Sequence, residues 1–507
     1  MTKSAGGVPV HAVTVSDFDG VAQHARSAPD RLACIDCETG AEYSYHKLDA
    51  LVDAAAGWLA NQIDEGARLA WLGRNSVDML VAHLACSRSG RIFVPLNWRL
   101  AAPELSAILA DCEPAIIVAG PDFRDTAADA AARAQIDCRV EAGLGSAPFS
   151  KSGPARDPEQ PCLLLYTSGT TGRPKGVIHN ERSIYYSSLN LVFASDRGPR
   201  SRALCDAPLF HVIGLLVMCR ASLAGGGTVL MSAGFDPAKT LSRLSDATHY
   251  CGVPQMIDQL RQRPEFSEFD GSRLVSVGVG GAPSTAELLQ CWHDRGLPLL
   301  IGFGMSEIGG FMSMSATDPA ALERFPGSCG RQPFFGAVRI CDDDGADLPP
   351  GQPGEIWVRG PTVTPGYWRR PDETAALFRD GWMRTGDIGS VNEQGFHFIV
   401  DRKKDMFISG GENVYPAEIE SVIAEMPGVV EVAVVGVPNP RWGEVACAFV
   451  VGDVRADEVI AACARSLAKF KVPAHVIASE TIPRNGAGKP QKHILRAIFE
   501  EGQAIAP

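Results

Sequence analysis

Short apolar strands alternate with helical patterns over residues 41–140, and this alternation restricts the possible folds more than any other feature of the chain. Strand patterns lie at 69–72, 92–95 and 115–118, and residues 77–86 carry apolar side chains at helical spacing. Strands that alternate with helices usually pair in parallel, because each helix returns the chain to the same end of the sheet. The sequence therefore predicts an α/β layer with a parallel sheet.

The middle and the end of the chain have a different character. A connection rich in Gly, Ser and Pro at 143–161 leads into a second α/β stretch that ends near residue 308. Residues 335–400 carry short Val, Ile and Trp strands interrupted by Gly and Pro, which indicates β-rich structure. We expect a large N-terminal domain of α/β layers with a β-rich subdomain, residues 1–402, and a small C-terminal α+β domain, residues 403–507.

The C-terminal domain is predicted to contain strands and a helix. Strand patterns lie at 430–437 and 446–451. After them, apolar side chains recur at helical spacing, which predicts one buried helix face. The residues of that face are Val459, Ile460, Cys463, Leu467 and Phe470.

Composition excludes several classes of protein. The 47 basic and 59 acidic residues give a net charge of −12, which argues against a general nucleic-acid binder with its strongly basic face. A hydrophobic fraction of 45% excludes a disordered chain. No apolar run approaches the roughly 20 residues that cross a bilayer, and residues 1–13 lack the apolar stretch of a secretion signal. Fourteen mostly scattered cysteines suit a reducing compartment, so we expect a cytoplasmic protein.

Two short patterns resemble parts of metal-binding motifs. Cys34 and Cys37 have the spacing of a zinc or redox pair, but no second pair follows at a suitable distance. Their apolar context favours a strand. The acidic run at 342–345 lacks the alternating ligands and the closing Glu of a calcium loop, so we interpret it as a solvated turn.

The strongest chemical signal is a loop rich in hydroxyl groups and glycines that directly follows an apolar strand at 163–166. Glycines let backbone N–H groups curl around an anion, hydroxyl groups donate to phosphate oxygens, and a lysine neutralises charge. This is not a Walker A loop, because neither Gly169 nor Gly172 has its partner at the required spacing. The pattern predicts a phosphate-binding loop that contains Thr167, Ser168, Gly169, Thr170, Thr171, Gly172 and Lys175.

With this loop the chain resembles the adenylate-forming superfamily, which contains acyl-CoA synthetases, peptide-synthetase adenylation domains and luciferases. The resemblance extends from about residue 20 to residue 500, because further signature segments follow in the family's order. They lie at 280–283, 302–307, 382–387, 401–416 and 483–489. Phe303 replaces the family's tyrosine and Ser306 its threonine, and each keeps the aromatic face or the hydroxyl group that the site needs.

The resemblance implies how ATP is bound and activated. It places Mg²⁺ on Glu307, assisted by the Thr167 hydroxyl, and a hard oxygen donor suits this cation. It makes Asp387 and Arg402 the ribose ligands and Lys489 the catalytic lysine. The nucleotide would also lie against Gly281, Ala282, Pro283, Gly302, Phe303, Gly304, Met305 and Ser306. The alternative roles are structural: Glu307 in an ion pair, Asp387 in a turn, and Lys489 on the surface.

The acid site is predicted to be apolar. Peptide-synthetase domains that activate amino acids place an Asp where this chain has His211, so that place offers no carboxylate to a substrate ammonium group. By resemblance to acyl- and aryl-CoA ligases, His211 lines the acyl site and moves with the substrate carboxylate; a packed core histidine is the alternative. The expected lining is Phe210, His211, Val212, Val279, Gly280, Met305 and Phe311. Such a lining selects a neutral, apolar acyl body.

The segment after residue 401 resembles the part of CoA ligases that serves the second half-reaction. Lys404 lies where the family has its hinge, so the C-terminal domain is expected to be mobile. Ser409 belongs to the CoA segment, and Gly410 and Gly411 after it would let pantetheine pass close to the backbone, since glycine has no side chain to block the passage. Trp442 is likewise typical of CoA ligases.

Taken together, these resemblances imply an AMP-forming carboxylate–CoA ligase that uses Mg²⁺, ATP, CoA and a fatty or aromatic acid. The best likeness is to bacterial fatty-acyl-CoA and hydroxycinnamoyl- or aryl-CoA ligases. Two alternatives stay open: an adenylating enzyme that loads a carrier protein, and a non-catalytic nucleotide-binding relative. Neither a nucleic-acid partner nor a transmembrane segment is expected, and a homodimer stays open.

Overall fold

The computed structural model describes residues 13–148, 156–167, 174–282, 284–297, 299–313, 319–409, 412–484 and 490–505. The strands of this part of the chain are β1 Leu32–Asp36, β2 Glu42–Ser44, β3 Arg68–Leu72, β4 Ile92–Leu96, β5 Ile116–Ala119, β6 Arg139–Glu141, β7 Pro161–Thr167, β8 Lys175–Asn180, β9 Arg202–Cys205, β10 Thr228–Met231, β11 His249–Gly252, β12 Ser276–Gly280, β13 Leu299–Met305, β14 Gly310–Ser313, β15 Ala337–Cys341, β16 Gly354–Arg359, β17 Phe378–Arg379, β18 Trp382–Val391, β19 His397–Arg402, β20 Phe407–Ser409, β21 Glu412–Val414, β22 Val429–Asn439, β23 Gly443–Gly452 and β24 His475–Ala478.

The α-helices are α1 Gly20–Ser27, α2 Tyr45–Gln62, α3 Val77–Ser89, α4 Ala102–Cys112, α5 Arg124–Ala134, α6 Glu181–Ala194, α7 Ala221–Ala224, α8 Pro237–Leu244, α9 Pro254–Arg261, α10 Ala286–His293, α11 Pro319–Arg324, α12 Pro371–Leu377, α13 Pro416–Ala424, α14 Ala456–Ser466 and α15 Lys492–Ile505. A π-helix covers Ile213–Arg220. Short 3₁₀ helices cover Val15–Phe18, Pro121–Phe123, Pro264–Glu268, Ser306–Ile308 and Lys469–Lys471. None of the described helices is long and apolar enough to cross a membrane.

Two large, mostly parallel sheets form the N-terminal part of the molecule, as the alternation of strands and helices predicts. The six-stranded sheet has the order β6-β5-β3-β4-β7-β8, and only its edge strand β8 runs antiparallel to its neighbour. The eight-stranded sheet has the order β14-β13-β12-β11-β9-β10-β1-β2, with antiparallel pairs at both edges. In parallel strands all carboxyl ends meet at one edge, which is where ligands bind in open α/β sheets.

Helices α2 and α3 lie between the two sheets. Their apolar side chains share one core cluster with side chains from both sheets, including Leu48 of α2, Leu80 of α3, Phe93 of β4 and Val229 of β10. Helices α4 and α5 cover the outer face of the six-stranded sheet, and α8, α9 and α10 cover that of the eight-stranded sheet. Nearly every residue of α3 is buried, because apolar neighbours surround the helix on all sides.

Two smaller sheets follow. Strands β15 to β19 form an antiparallel five-stranded sheet, which confirms the β-rich region predicted at 335–400. Strands β20 to β24 form the sheet of residues 403–507, which are called the tail below, and α13, α14 and α15 pack on this sheet. The predicted helix face in the tail is wrong in part: α14 ends at Ser466, where Leu467 takes an extended conformation. Val459 and Cys463 are buried, but Ile460 and Phe470 are exposed.

The two patterns that resemble parts of metal motifs have structural roles. Cys34 is buried within β1, as its apolar context predicts. The acidic run at 342–345 forms a turn in which an Asp342 side-chain oxygen accepts the Ala346 N–H at 2.8 Å. Within the described residues, no group of three or more His, Cys, Asp and Glu side chains could hold a metal ion.

Candidate active site

The predicted phosphate loop connects β7 to β8 at the carboxyl edge of the six-stranded sheet. Thr167 ends β7 and pairs in register with Lys175, which begins β8, so the loop starts and finishes on neighbouring strands. Strand β7 runs parallel to β4, and this places Thr167 at the edge where parallel sheets bind ligands. The other predicted loop residues lie outside the described part of the chain: Ser168, Gly169, Thr170, Thr171 and Gly172.

Tyr367 brings the predicted metal ligand and the predicted phosphate-loop lysine together. Glu307 lies in the 3₁₀ turn after β13 and is only 8% exposed. The Tyr367 hydroxyl donates to Glu307 Oε1 at 2.8 Å, and the Lys175 Nζ lies 5.3 Å from the centroid of the Tyr367 ring. Burial and the charge of Glu307 raise the pKa of Tyr367, so the hydroxyl stays a donor.

The surroundings of Glu307 fit a Mg²⁺ ion that is held jointly with phosphates. Its Oε1 accepts the Tyr367 hydroxyl at 2.8 Å, and Lys175 lies against the ring of the same tyrosine. Mg²⁺ commonly takes one or two carboxylates and completes its octahedron with substrate phosphates and water. A single buried carboxylate near the lysine of the predicted phosphate loop therefore suits this cation better than a cage of protein ligands would.

The two segments predicted to hold the adenine are adjacent in the eight-stranded sheet. Strands β12 and β13 run parallel, and Gly280 pairs in register with Gly302. Gly281 follows β12 with a φ of +83°, and Ala282 beside it is exposed. Gly304 lies in β13, and Ser306 begins the 3₁₀ turn that follows it. Phe303 and Met305 pack against the core cluster that contains Ile308. Pro283 lies outside the described residues.

Asp387 and Arg402, the predicted ribose ligands, are register partners on the neighbouring strands β18 and β19. The Arg402 Nε lies 3.6 Å from Asp387 Oδ1, and the Asp387 side chain is 15% exposed. The Asp387 N–H donates to Thr385 Oγ1 at 3.1 Å, which fixes the backbone of the turn. A half-buried carboxylate can accept both hydroxyl groups of a diol.

The predicted acyl segment is anchored to the six-stranded sheet by Asn75, which follows β3. The Asn75 side chain donates to the Ala207 carbonyl at 2.9 Å and accepts the Leu209 N–H at 2.9 Å. Phe210 is buried, and its ring lies 4.6 Å from the His211 ring, measured between centroids. These bonds hold the strand-end segment 207–211 beside the sheet edge that carries the phosphate loop.

The π-helix begins directly after His211 and Val212. At Gly214 a Cβ would lie 2.4 Å from the Pro208 carbonyl oxygen, so only glycine allows this close packing. Val279 is buried in β12, and Gly280 ends that strand. Phe311 pairs in register with Gly304 through β14, but its side chain is outside the described set. That these residues line the acid site stays a prediction.

Sequence reasoning missed a basic and aromatic cluster at the same sheet edge. The Arg74 Cζ lies 4.6 Å and the Arg99 Cζ 5.0 Å from the centroid of the Trp98 ring, and Arg99 also lies 5.9 Å from the Phe210 ring. Partial burial and the charge of Arg74 lower the pKa of Arg99. Arg74 follows β3, and Trp98 and Arg99 follow β4. Their place directly after predicted parallel strands was the signal that could have found them.

The residues predicted for the CoA step lie in the tail. Ser409 pairs in register with Gly443, which places it next to Trp442, and the Trp442 side chain is 46% exposed. Lys404 follows β19, and burial and the nearby charge of Arg402 lower its pKa. Gly410, Gly411 and Lys489 lie outside the described residues.

The segment that contains Lys489 is closed by described neighbours at both ends. Arg484 and Pro490 form an isolated antiparallel β-bridge, and the Gln491 N–H donates to the Pro483 carbonyl at 2.8 Å. The described residues that flank 485–489 therefore lie next to each other.

Comparisons with known proteins agree with this geometry. The family model described as AMP-binding enzyme matches residues 21–368, and the model described as AMP-binding enzyme C-terminal domain matches residues 418–489. A feruloyl-CoA synthase from Amycolatopsis sp is 39% identical over 91% of this chain and 94% of its own length. The long-chain-fatty-acid–CoA ligase FadD13 from Mycobacterium tuberculosis is 36% identical over 94% of this chain and 97% of its own.

A solved structure shows the same architecture with the nucleotide present. The crystal structure of ATP-bound MatB from Rhodopseudomonas palustris superposes with a TM-score of 0.87 at 34% identity. The match covers 96% of this chain and 99% of that chain.

Proposed function

The chain belongs to the AMP-binding enzyme family and is an AMP-forming acid–thiol ligase, and we propose that it joins a neutral, apolar monocarboxylic acid to CoA. In the first half-reaction the acid carboxylate attacks the α-phosphate of ATP, giving an acyl-adenylate and pyrophosphate. In the second, the CoA thiol attacks the acyl carbon, and AMP leaves. The observation that carries the proposal is the convergence of Lys175 and Glu307 on Tyr367.

Adenylation brings two anions together, so the site must neutralise charge. Mg²⁺, when bound, would offset the charge of the phosphates, and Glu307 with the Thr167 hydroxyl would hold it. Lys175 would neutralise phosphate oxygens, and Asp387 would accept the ribose hydroxyl groups. We propose that Lys489 donates to the oxygens between the attacking carboxylate and the α-phosphate, where negative charge is redistributed in the transition state.

The proposed acid is fatty or aromatic. The described lining includes Val279 and the Phe210 ring, neither of which can pair with a second charge on the acid. Burying an unpaired carboxylate costs several kcal/mol. The two curated relatives act on feruloyl and long-chain fatty acyl groups according to their names, and both are neutral beyond the activated carboxylate. An apolar slot separates such acids weakly, because a methylene group is worth about 1–3 kcal/mol.

For the second half-reaction, we propose that residues 403–507 form a domain that rotates about Lys404. The rotation would bring Ser409 and Trp442 toward the acyl-adenylate, with pantetheine passing Gly410 and Gly411. Arg74 and Arg99 could attract the phosphates of CoA, because both guanidinium groups lie at the ligand-binding edge of the sheet. A carrier protein as acyl acceptor would not explain why Arg74 and Arg99 both lie against the Trp98 ring at this edge.

The test is a pyrophosphate-release screen over monocarboxylic acids of graded chain length and ring content, with malonate as the charged comparison. We expect several apolar acids to be activated and malonate to be poor. A malonate kcat/KM equal to that of the best monocarboxylate would contradict the proposed acid class. Replacing CoA by a phosphopantetheinylated carrier protein separates the two acceptors, because only CoA should yield product.

The cell compartment and the assembly are further expectations. All fourteen cysteines are free thiols, which supports a reducing compartment such as the cytoplasm. Light scattering on the purified chain would decide between a monomer and a homodimer.

A further inference from the structure

The segment 364–368 hydrogen-bonds to the turn that carries Glu307. The Thr364 N–H donates to the Glu307 carbonyl at 2.7 Å, and the Tyr367 hydroxyl donates to Glu307 Oε1 at 2.8 Å. One bond therefore fixes the backbone of the predicted metal ligand, and the other fixes its side chain.

The same segment hydrogen-bonds to β8, which carries Lys175. The Ile178 N–H donates to the Gly366 carbonyl at 3.0 Å, and the Trp368 N–H donates to the Gly176 carbonyl at 2.8 Å. The Thr364 hydroxyl also donates to the Ile178 carbonyl at 2.7 Å. Residues 364–368 thus join the strand of the phosphate-loop lysine to the turn of the metal carboxylate.

Tyr367 is the member of this segment whose side chain contacts both charged groups. The Lys175 Nζ lies 5.3 Å from the centre of the Tyr367 ring, within the range of a cation–π contact. The hydroxyl at the far end of the ring holds Glu307. Without the ring between them, the Lys175 ammonium and the Glu307 carboxylate would attract each other. A direct ion pair would leave neither the carboxylate available to the metal nor the ammonium available to the triphosphate.

We propose that Tyr367 is a positioning residue for the metal–triphosphate complex, an inference that rests on the proposed function. Its hydroxyl holds Oε1 of Glu307 and so fixes the orientation of the carboxylate that would hold the metal, and its ring keeps Lys175 apart from that carboxylate. Hydrogen-bond partners that orient a metal ligand commonly affect metal affinity or activity by 10- to 100-fold.

The proposal separates the hydroxyl from the ring. Tyr367→Phe keeps the ring and removes only the bond to Oε1, so it should weaken the metal and leave the contact with Lys175. Tyr367→Leu removes both, so Lys175 is free to pair with Glu307. A purely structural tyrosine would show neither pattern, since Phe fills nearly the same space.

The experiment measures the binding of a non-hydrolysable ATP analogue by calorimetry, with excess Mg²⁺ and with EDTA, and without any acid. In the wild type Mg²⁺ should tighten binding. In Tyr367→Phe this gain should shrink by roughly 10-fold, while binding in EDTA stays within about twofold. Tyr367→Leu should weaken binding in EDTA as well.

Tyr250→Phe is the matched control. The Tyr250 hydroxyl is also buried and also donates to a carboxylate oxygen, Asp206 Oδ2, at 3.3 Å. This variant loses a comparable hydrogen bond away from the nucleotide segments, so it should bind the analogue as the wild type does under both conditions.

The outcomes distinguish the two proposals. An unchanged Mg²⁺ gain in Tyr367→Phe, or an equal loss with and without metal, would overturn the role of Tyr367 and leave the ligase assignment intact. A wild type that fails to bind the analogue at all would overturn both. Melting temperatures of the three variants show whether each is folded.

Discussion

The two regions on either side of Arg402 differ in the polar contacts that hold their key residues. Before it, Glu307 is nearly buried and is held by hydrogen bonds from Thr364 and Tyr367. After it, the described polar contacts between the tail and the first region include the Lys403 ammonium with Asp343 at 2.6 Å and Glu355 at 3.2 Å. The Asp343 side chain is 89% exposed, so water can replace it as a partner.

This difference indicates that the region before Arg402 and the tail have different roles. Buried hydrogen bonds are costly to break, because each group would be left unpaired away from water. Exposed ion pairs such as Lys403 with Asp343 contribute only about 0–1 kcal/mol and exchange easily, whereas the second partner of Lys403, Glu355, is buried. We propose that the first region holds the nucleotide groups in place before ATP arrives, and that the tail changes its orientation between the half-reactions.

The largest expected effect separates the regions by half-reaction. Lys489→Ala should slow acyl-adenylate formation by roughly 10²–10³-fold, the scale for removing one electrostatic stabiliser. Conversion of synthetic acyl-AMP and CoA to acyl-CoA should stay within a few-fold of the wild type, because the rotated tail would carry this lysine away. Both steps are measured on one preparation. Comparable losses in both would refute the assignment.

The next effect tests the first region, before Arg402, by itself. Glu307→Gln is nearly isosteric and keeps an oxygen that can accept the Tyr367 hydroxyl, but gives the metal a neutral ligand. Mg²⁺-dependent pyrophosphate release should fall by roughly 10²-fold, with little change in Tm. Glu355→Gln, another buried carboxylate, should keep its Mg²⁺ dependence. Unchanged turnover of Glu307→Gln at saturating Mg²⁺ would show that Glu307 is not the ligand.

A smaller effect addresses the junction itself. Lys404→Pro fixes φ near −65° and opposes rotation at this point. The variant should form acyl-adenylate readily and transfer it to CoA about 10-fold more slowly, since only the second step requires the rotated tail. Rapid-quench measurement of each step decides. If the two steps slow equally, the hinge lies elsewhere.

The smallest effect tests the exposed contacts. Asp343→Asn removes the charge from the pair with Lys403 and should change the free energy of unfolding by less than about 1 kcal/mol. The ratio of the two half-reaction rates should shift by no more than about threefold, because Glu355 still holds Lys403. Denaturant titration and the same two rate measurements give both numbers. A large loss of stability would mean that the tail is held more firmly than we infer.

Much of the fold followed from sequence periodicity. Strands β3, β4 and β5 and helix α3 lie where alternating patterns placed them, because the layers bury each pattern on the side that its spacing predicts. The signature segments also lie on strands, with Thr167 at the end of β7, Gly302 within β13 and Asp387 within β18. Local order and local chemistry are visible in the sequence.

What could not be predicted depends on distant contacts. Tyr367 and Glu307 are 60 residues apart in the sequence, and no local pattern near either residue predicts their hydrogen bond. The π-helix at Ile213–Arg220 has an apolar sequence that suits any buried helix, and packing at Gly214 decides its form. Helix α14 ends earlier than its apolar spacing suggests, because Leu467 turns into extended backbone.

The pairing of Thr167 with Lys175 has a consequence for insertions and deletions between β7 and β8. Since the sheet fixes both ends of the loop between them, one residue more or less there alters the closure entropy by only a few tenths of a kcal/mol. If a residue is inserted within β8 after Lys175 and the rest of the strand keeps its register, Lys175 turns to the opposite face. Lys175 would then point away from Tyr367. Closure of the sheet thus tolerates a change of loop length, whereas the proposed phosphate contacts of the loop and the register of β8 do not.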